Sequence, residues 1–471
     1  MSDAVAPPLP VRRWRDELAD VLRGASVDAT HGPIPRTLAL LAVPMVLEMA
    51  MESLFAVVDI FFVARLGADA VAAVGSTEAV LSLVYAVAFG LAIGVSATVA
   101  RRIGERRPDA AARAAGQGVV LGLAVSAVLA VVGVAFAPQI LALLGNGEAV
   151  QRVGAGYTRA VLGGSGSVLL LFLLNAVFRG AGDATVAMRV LWVANGVNIA
   201  LDPCLIFGLG PFPELGVTGA GVATVIGRST GVLLALRVLA RGHGRVHLDA
   251  SALRPDRAVL ASLARLASTG ALQTLIGTAS WIGLVRVLSG FGSAAVAGYT
   301  IGIRIVIFAI LPAWGVASAA ATMLGQSLGA RDPARAERAV WLACRANAAF
   351  LTAVGLALVL GAPWLVRLFG DDPAVAPFAE ACLRLVGLGF PAYAFGMVLT
   401  QAFNGAGDTW TPTWINLACF WFWEIPLAWA LAYPLGQGPR GAFLAIAIAF
   451  STLALVSAAL FRRGRWRTTR V

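Results

Sequence analysis

Charged side chains are scarce in this sequence. They account for 13% of its 471 residues, whereas 59% are hydrophobic and the mean hydropathy is +0.82. This balance excludes an ordinary soluble domain and indicates an integral membrane protein. Lysine is absent, so every basic residue is an arginine, which we interpret as a property of the genome.

Cysteine is also rare. The four cysteines, Cys204, Cys344, Cys382 and Cys419, lie inside apolar segments and show no CxxC spacing. This pattern argues against a disulfide framework and against a zinc site. We therefore expect no cofactor, no catalytic residue and no metal other than the coupling Na⁺ considered below.

Long hydrophobic runs occupy most of the chain. A helix needs about 20 apolar residues to cross a bilayer, whereas the strands of a membrane barrel are shorter and alternate. Twelve runs of this length occur, roughly at 37–63, 70–99, 116–137, 158–178, 186–208, 217–239, 262–288, 295–327, 340–361, 381–404, 412–434 and 441–461. We predict an all-α integral membrane protein with twelve transmembrane helices.

The arginines alternate from loop to loop, although the net charge is +11. They cluster before the first span (Arg12, Arg13, Arg15, Arg23, Arg36) and after the second, sixth, eighth and twelfth spans, the last cluster ending at Arg470. An excess of basic residues marks cytoplasmic loops. The pattern argues against a nucleic-acid partner and predicts a multi-pass protein of the inner membrane with both termini in the cytoplasm.

The two halves of the sequence superimpose without a gap when one is shifted by 225 positions. The shift places LALLA at Leu38 on LARLA at Leu263, Gly104 on Gly329, Pro108 on Pro333, and GAGD at Gly180 on GAGD at Gly405. Because six spans is an even number, both halves enter the membrane from the same side. They form a parallel repeat about an axis along the membrane normal, as in transporters whose halves rock around a central site.

The repeat divides the chain into two six-helix lobes. We predict a cytoplasmic N-terminal segment at 1–35, an N-lobe at 36–239, a cytoplasmic linker at 240–261, a C-lobe at 262–461 and a basic cytoplasmic tail at 462–471. In the first segment Trp14, Leu18, Val21 and Leu22 share one helical face, which favours an amphipathic helix on the membrane surface. A disordered tail is the alternative.

Both halves share an aspartate, Asp183 or Asp408, after the same glycine-rich break. Such a residue just before a helix is typical of an N-cap. We therefore interpret both aspartates as caps of the helices that follow.

Other carboxylates occur in one half alone. Glu48, Glu52 and Asp59 share a narrow stripe of the first span, and the shift pairs them with Gln273, Gly277 and Leu284. Asn195, Asn198 and Asp202 share one face of the fifth span, and their partners are Phe420, Trp423 and Leu427. An ionisable group in hydrocarbon costs at least about 2.5–3.5 kcal/mol, so these side chains are expected to face the protein interior or water.

Asp59 and Asp202 lie at matching depths. Each is six residues from the outer end of its span, or about 9 Å along a helix. Two facing carboxylates at low dielectric share a proton or a monovalent cation, and the residues leave H⁺ and Na⁺ both open. Glu78 either joins this acidic cluster or extends to the membrane surface.

Several segments together resemble the multidrug and toxic compound extrusion (MATE) family, close to the branch of the DNA-damage-inducible F protein. They are LFAVVDIFFVARLG from Leu54, NAVFRGAGDATVAM from Asn175, NIALDP from Asn198, GVTGAGVAT from Gly216 and QAFNGAGDTWTP from Gln401. The resemblance implies a V-shaped pair of lobes. It also implies export of small organic, often cationic, compounds in exchange for H⁺ or Na⁺.

The resemblance implies site residues as well. The cation-coupling site of the amino lobe falls on Asp59, Asn198, Asp202, Thr224 and the backbone carbonyl of Ala220. Further polar candidates in that lobe are Glu52, Glu78, Tyr157 and Asn175. Gly277 and Tyr393 stand where the toxin-exporting branch has carboxylates, so the resemblance does not extend to a C-lobe site of that type.

We expect the partners to be a small organic substrate and the surrounding lipid, and the protein to be a monomer. The alternative function is a flippase for a lipid-linked precursor. Arg286 and Arg304 would favour the flippase if they faced the central cavity.

Overall fold

The computed structural model describes residues 14–242, 244–368 and 372–469, and every regular element in these ranges is helical. The helices are α1 (Trp14–Leu22), α2 (Ile34–Ala64), α3 (Ala68–Gly104), α4 (Pro108–Leu143), α5 (Glu148–Gly163), α6 (Ser165–Ala181), α7 (Ala184–Phe207), α8 (Val217–Arg241), α9 (Arg257–Leu288), α10 (Ser293–Gly329), α11 (Pro333–Arg367), α12 (Ala376–Leu388), α13 (Phe390–Ala406), α14 (Trp410–Asn416), α15 (Ile425–Ala432) and α16 (Pro439–Arg462). A π-helical segment, Leu417–Glu424, joins α14 to α15. Arg12, Arg13 and Arg470 lie outside the described residues.

The described helices supply the predicted spans. Ten spans are long and apolar enough to cross a membrane, with α5–α6 and α14–α15 each counted as one. Helices α12 and α13 meet at a 60° bend and form an eleventh. Helix α2, with 31 residues, would be the twelfth. The prediction of an all-α membrane protein is confirmed.

The repeat is visible in how the lobes pack together. Helix α2 packs along α10 and helix α3 along α9, and the shift of 225 positions converts one pair into the other. Gly104 at the end of α3 lies against the backbone carbonyl of Gln326, while Gly329 at the end of α10 lies against that of Arg101. These two contacts are also related by the shift. They close the seam between the lobes at the end that carries both termini.

The same relation recurs nearer the middle of the helices. Gly90 of α3 lies against the backbone of Ala267 and Ala271 in α9, and Gly315 of α10 lies against the backbone of Met45 and Val46 in α2. The lobes therefore approach one another backbone to backbone at these glycines, while the side chains of Phe89 and Trp314 beside them meet edge to face across the same seam.

Replacing Gly104 with alanine is expected to destabilise this arrangement. The added Cβ would overlap the Gln326 carbonyl oxygen, so the backbones must move apart, at about 1–3 kcal/mol for an overpacked contact. Thermal unfolding of the purified variant should show the loss. The matched control is Gly75→Ala in the same helix, which has open space around it and should be neutral or stabilising. Equal unfolding temperatures for the two variants would contradict this account of the seam.

The N-terminal segment is attached to both lobes. The predicted N-terminal helix is present as α1, and its Val21 side chain is buried. The side chain of Trp14 lies outside the part of the chain that the structure describes. The amide of Val27 donates to the carbonyl of Gly182 in the N-lobe at 3.1 Å. In the C-lobe the buried Arg335 guanidinium donates to three carbonyls of this segment, of Ala29, His31 and Gly32, at 2.7–2.9 Å.

The capping interpretation is wrong for Asp183. Its side chain makes no cap hydrogen bond to α7, because it accepts instead from the backbone amide of Arg245 in the linker at 3.0 Å. Burial under the linker raises the pKa of Asp183. Asp408 does bind the start of α14, accepting from the Thr411 amide at 3.1 Å. The two aspartates differ because only the first has a linker folded over it.

Candidate functional site

The core of the candidate site lies where α7 and α8 meet. Asp202 on α7 is fully buried, and neither of its carboxylate oxygens has a hydrogen-bond partner in the described structure. One turn earlier, the amide nitrogen of Asn198 donates to the hydroxyl of Thr224 on α8 at 3.1 Å. The Asn198 side-chain oxygen has no partner either. Three unpaired oxygen atoms are thus buried on α7, and Thr224 and the buried Ala220 lie on α8, the helix packed against it.

Asp59 joins this cluster from α2. The Asp59 carboxylate is close enough to Asp202, and to Glu78 on α3, for the negative charges to repel one another. The buried Tyr157 on α5 lies within range of both aspartates and of Glu78. The structure therefore brings Asp59, Asp202, Glu78 and Tyr157 together, although they come from four separate helices.

Glu52 has a partner that the sequence analysis missed. Arg228, on α8, is 2% exposed and donates to the Glu52 carboxylate at 2.7 Å. Asn195 donates to the other Glu52 oxygen at 3.0 Å. The guanidinium also lies over the ring of Phe55 at 5.2 Å, a distance suited to a cation–π interaction. A buried ion pair thus lies beside Asp59, which is within electrostatic range of Arg228.

Two features of the sequence point to Arg228. Residues Ala220, Thr224 and Arg228 are spaced by four, so they share one face of α8. The shift pairs Arg228 with Leu453, just as it pairs Asp202 with Leu427. Comparing basic as well as acidic residues between the halves would have found it.

Asn175 lies in a different cluster. Its amide donates to the buried Glu48 at 3.1 Å, and Arg179, one turn further along α6, donates to the same oxygen at 2.6 Å. The Arg179 carbonyl accepts a hydrogen bond from Thr322 of the C-lobe at 3.1 Å. Glu48 therefore forms an ion pair with Arg179 near the contact between the lobes, and Asn175 donates a hydrogen bond to that pair.

Glu78 also interacts with the other lobe. Its carboxylate is close enough to Arg304 on α10 for an electrostatic attraction between the two side chains. Arg304 and Arg286 both keep exposed side chains. Glu78 thus sits between an acidic N-lobe site and a basic residue of the C-lobe.

Among the residues of the C-lobe that the structure describes, one carboxylate is buried. Glu424, at the end of the π-helical segment, is 2% exposed and lies within electrostatic range of Tyr299 and Tyr393. Tyr393 stacks on Phe450 with ring centroids 4.1 Å apart. Among the described residues no group of three or more His, Cys, Asp or Glu side chains is arranged to hold a metal ion.

Comparison with known proteins shows which family this chain matches. The MatE family model matches residues 44–204 and 269–430, one stretch in each lobe. The chain belongs to the MatE family. MatE proteins are transporters that need no cofactor, so this chain is an integral multi-pass membrane transporter and not an enzyme.

Named relatives in the MatE family match nearly end to end. A probable multidrug resistance protein NorM of Thermotoga maritima is 25% identical over 92% of this chain and 93% of its own length. An FAD transporter of Shewanella oneidensis is 27% identical over 88% of this chain and 92% of its own. A structure described as the outward-facing conformation of a multidrug resistance MATE family transporter superimposes with a TM-score of 0.88 at 25% identity, covering 94% of this chain and 99% of that one.

Proposed function

We propose that this protein is a secondary antiporter that exports small organic compounds in exchange for H⁺ or Na⁺. The observation that carries the proposal is the set of three unpaired oxygen atoms of Asp202 and Asn198. Buried polar atoms are normally hydrogen-bonded, and exceptions point to a function or to an absent ion. A proton on Asp202 would remove its buried charge, and oxygen atoms of this kind are suitable ligands for Na⁺.

The remaining carboxylates fit the same proposal in a different role. Glu48 and Glu52 are neutralised by Arg179 and Arg228, so their charge is already balanced in the resting protein. Asp59 and Asp202 have no ion pair within the described residues. We therefore assign coupling to Asp59, Asn198, Asp202, Thr224 and the Ala220 carbonyl, and an ion-pairing role to Glu48 and Glu52.

Coupling would follow from electrostatic competition. A bound cation or proton neutralises the repulsion between Asp59 and Asp202, and its departure restores a negative site in the N-lobe. An organic cation entering between the lobes would compete for that negative charge. The lobes would then rock about their common seam, exposing the site to each side in turn.

The relatives support the substrate class. Names such as multidrug resistance protein favour small organic substrates, and the acidic pair favours cationic ones. The flippase for a lipid-linked precursor is the second candidate, and the exposed Arg286 and Arg304 are the observation in its favour. We place the protein in the inner membrane as a monomer with both termini in the cytoplasm.

Transport in liposomes tests the proposal. The purified protein is reconstituted, an H⁺ gradient or an Na⁺ gradient is imposed, and the movement of a fluorescent organic cation is followed. One of the two gradients should drive transport above the rate of empty liposomes. Absence of transport with both gradients and several cations, combined with translocation of a labelled polyprenyl-linked lipid, would favour the flippase.

A further inference from the structure

A large cavity opens at the end of the bundle that carries both termini. Its volume is about 1190 Å³, and its wall includes residues of α3, α10, the N-terminal segment and the C-terminal tail. Six arginines line it, against two carboxylates: Arg101, Arg102, Arg106, Arg107, Arg331 and Arg467. The cavity is therefore strongly basic, and it spans the seam between the lobes.

Two of these arginines are related by the repeat. Arg106 follows α3 in the N-lobe, and Arg331 follows α10 in the C-lobe. Both have left-handed backbones, with φ of 59° and 61°. This conformation is costly for residues other than glycine, and such strain is concentrated at functional sites. The two turns place matching guanidinium groups at the cavity wall, one from each lobe.

These two guanidinium groups have no described ion pair or hydrogen bond. The carboxylates of the cavity wall are already engaged with other groups. Glu105 pairs with Arg102 at 2.8 Å, and Asp332 accepts from the backbone amide of Arg335 at 2.8 Å. Neither carboxylate forms a described ion pair with Arg106 or Arg331, and the six arginines outnumber the two carboxylates, so both guanidinium groups are available to an anion.

The chemistry of this wall selects one class of ligand. A guanidinium group presents a planar set of donors that matches the oxygens of a phosphate, often two at a time. Basic pockets between helices on the cytoplasmic side of membrane proteins bind lipid headgroups. We propose that this cavity binds a phosphate-bearing anion, a soluble polyphosphate or an anionic lipid headgroup, which links Arg106 of the N-lobe to Arg331 of the C-lobe.

The bound anion has a conformational consequence. It contacts both lobes only while the seam at Gly104 and Gly329 is closed, because opening this end separates Arg106 from Arg331. A ligand that binds one state shifts the population toward that state. The anion therefore stabilises the closed seam. Binding itself does not depend on the antiport proposal.

Two parallel measurements test the proposal and distinguish the sources of phosphate. In the first, calorimetry follows binding of inorganic pyrophosphate to protein in neutral detergent free of anionic lipid. In the second, the unfolding temperature is compared between nanodiscs of phosphatidylcholine alone and nanodiscs that include phosphatidylglycerol, without free phosphate. Binding in the first arm identifies a soluble anion, and a higher unfolding temperature in the second identifies a headgroup. No effect in either arm overturns the proposal.

Paired variants establish that the cavity is responsible. The double variant Arg106→Gly/Arg331→Gly removes both guanidinium groups and fits the left-handed backbone, so it should fold while binding at least roughly tenfold more weakly, since a charge-assisted contact is worth about that factor. The control is Arg113→Gln/Arg338→Gln, which also removes two positive charges and keeps a good helix former at these two helical positions. These exposed arginines are also 225 positions apart, lie near the same end and do not line the cavity. Equal weakening in test and control variants would show diffuse surface attraction and overturn the proposal.

Discussion

Replacing Asp202 with asparagine is expected to reduce gradient-driven efflux to the rate of empty liposomes. The substitution keeps the size of the side chain but removes the carboxyl group to which we assign coupling. Because neither Asp202 oxygen accepts a hydrogen bond, no described contact is lost and the protein should unfold at no lower temperature. Reconstituted transport and thermal unfolding, measured on the same preparation, separate the two effects.

Asp59→Asn should have the same phenotype, because the two aspartates act on one another. The matched control is Asp69→Asn, which removes an exposed carboxylate from the start of α3 in the same lobe and should leave efflux unchanged. Full gradient-driven efflux in both the Asp59 and Asp202 variants would refute the assigned site while leaving the antiporter proposal open.

Breaking the Glu52–Arg228 pair is expected to cost the most stability of any single substitution considered. Arg228→Met leaves Glu52, which is 17% exposed, without its main counter-ion, and removal of one partner from a buried pair costs about 3–5 kcal/mol. The double variant Glu52→Gln/Arg228→Met removes both charges and should recover most of that loss. A double-mutant cycle on the free energy of unfolding measures the difference.

The control for this cycle is the pair Glu380–Arg384 on α12. Its nitrogen and oxygen are 3.2 Å apart, but the arginine side chain is 49% exposed. Exposed pairs contribute about 0–1 kcal/mol, so its single variants should differ little from the double variant. A coupling energy at Glu52–Arg228 no larger than this would show that the buried pair does not hold α2 to α8.

The fold could be predicted because the bilayer restricts the choices. In hydrocarbon, an apolar run of this length can form all its backbone hydrogen bonds only as a helix. Each of the twelve runs could therefore be predicted as a helix directly. The shift of 225 positions then fixed the lobe arrangement, since equivalent glycines such as Gly104 and Gly329 make equivalent contacts.

Site residues could be predicted where the depth of a side chain in the membrane and its face on the helix were sufficient to place it. Asp59 and Asp202 were expected to meet because they lie equally far from the outer ends of two outward-running spans. Asn175 could not be placed in this way, because its partner Glu48 depends on how α6 packs against α2. Arg228 pairs with Glu52 across two helices that are 176 positions apart in sequence, a contact that no local pattern encodes.

The backbone contacts at Gly90 and Gly315 bear on how easily the lobes move. Interlocked side chains must change rotamer before one helix can slide past another, and this creates a barrier at every step. Gly90 of α3 and Gly315 of α10 have no side chain to interlock with the opposite lobe at these two points, whereas Phe89 and Trp314 beside them do contact one another across the seam. Because the two glycine contacts are related by the repeat, a rotation of one lobe against the other would change both contacts in the same way, and neither lobe would move before the other.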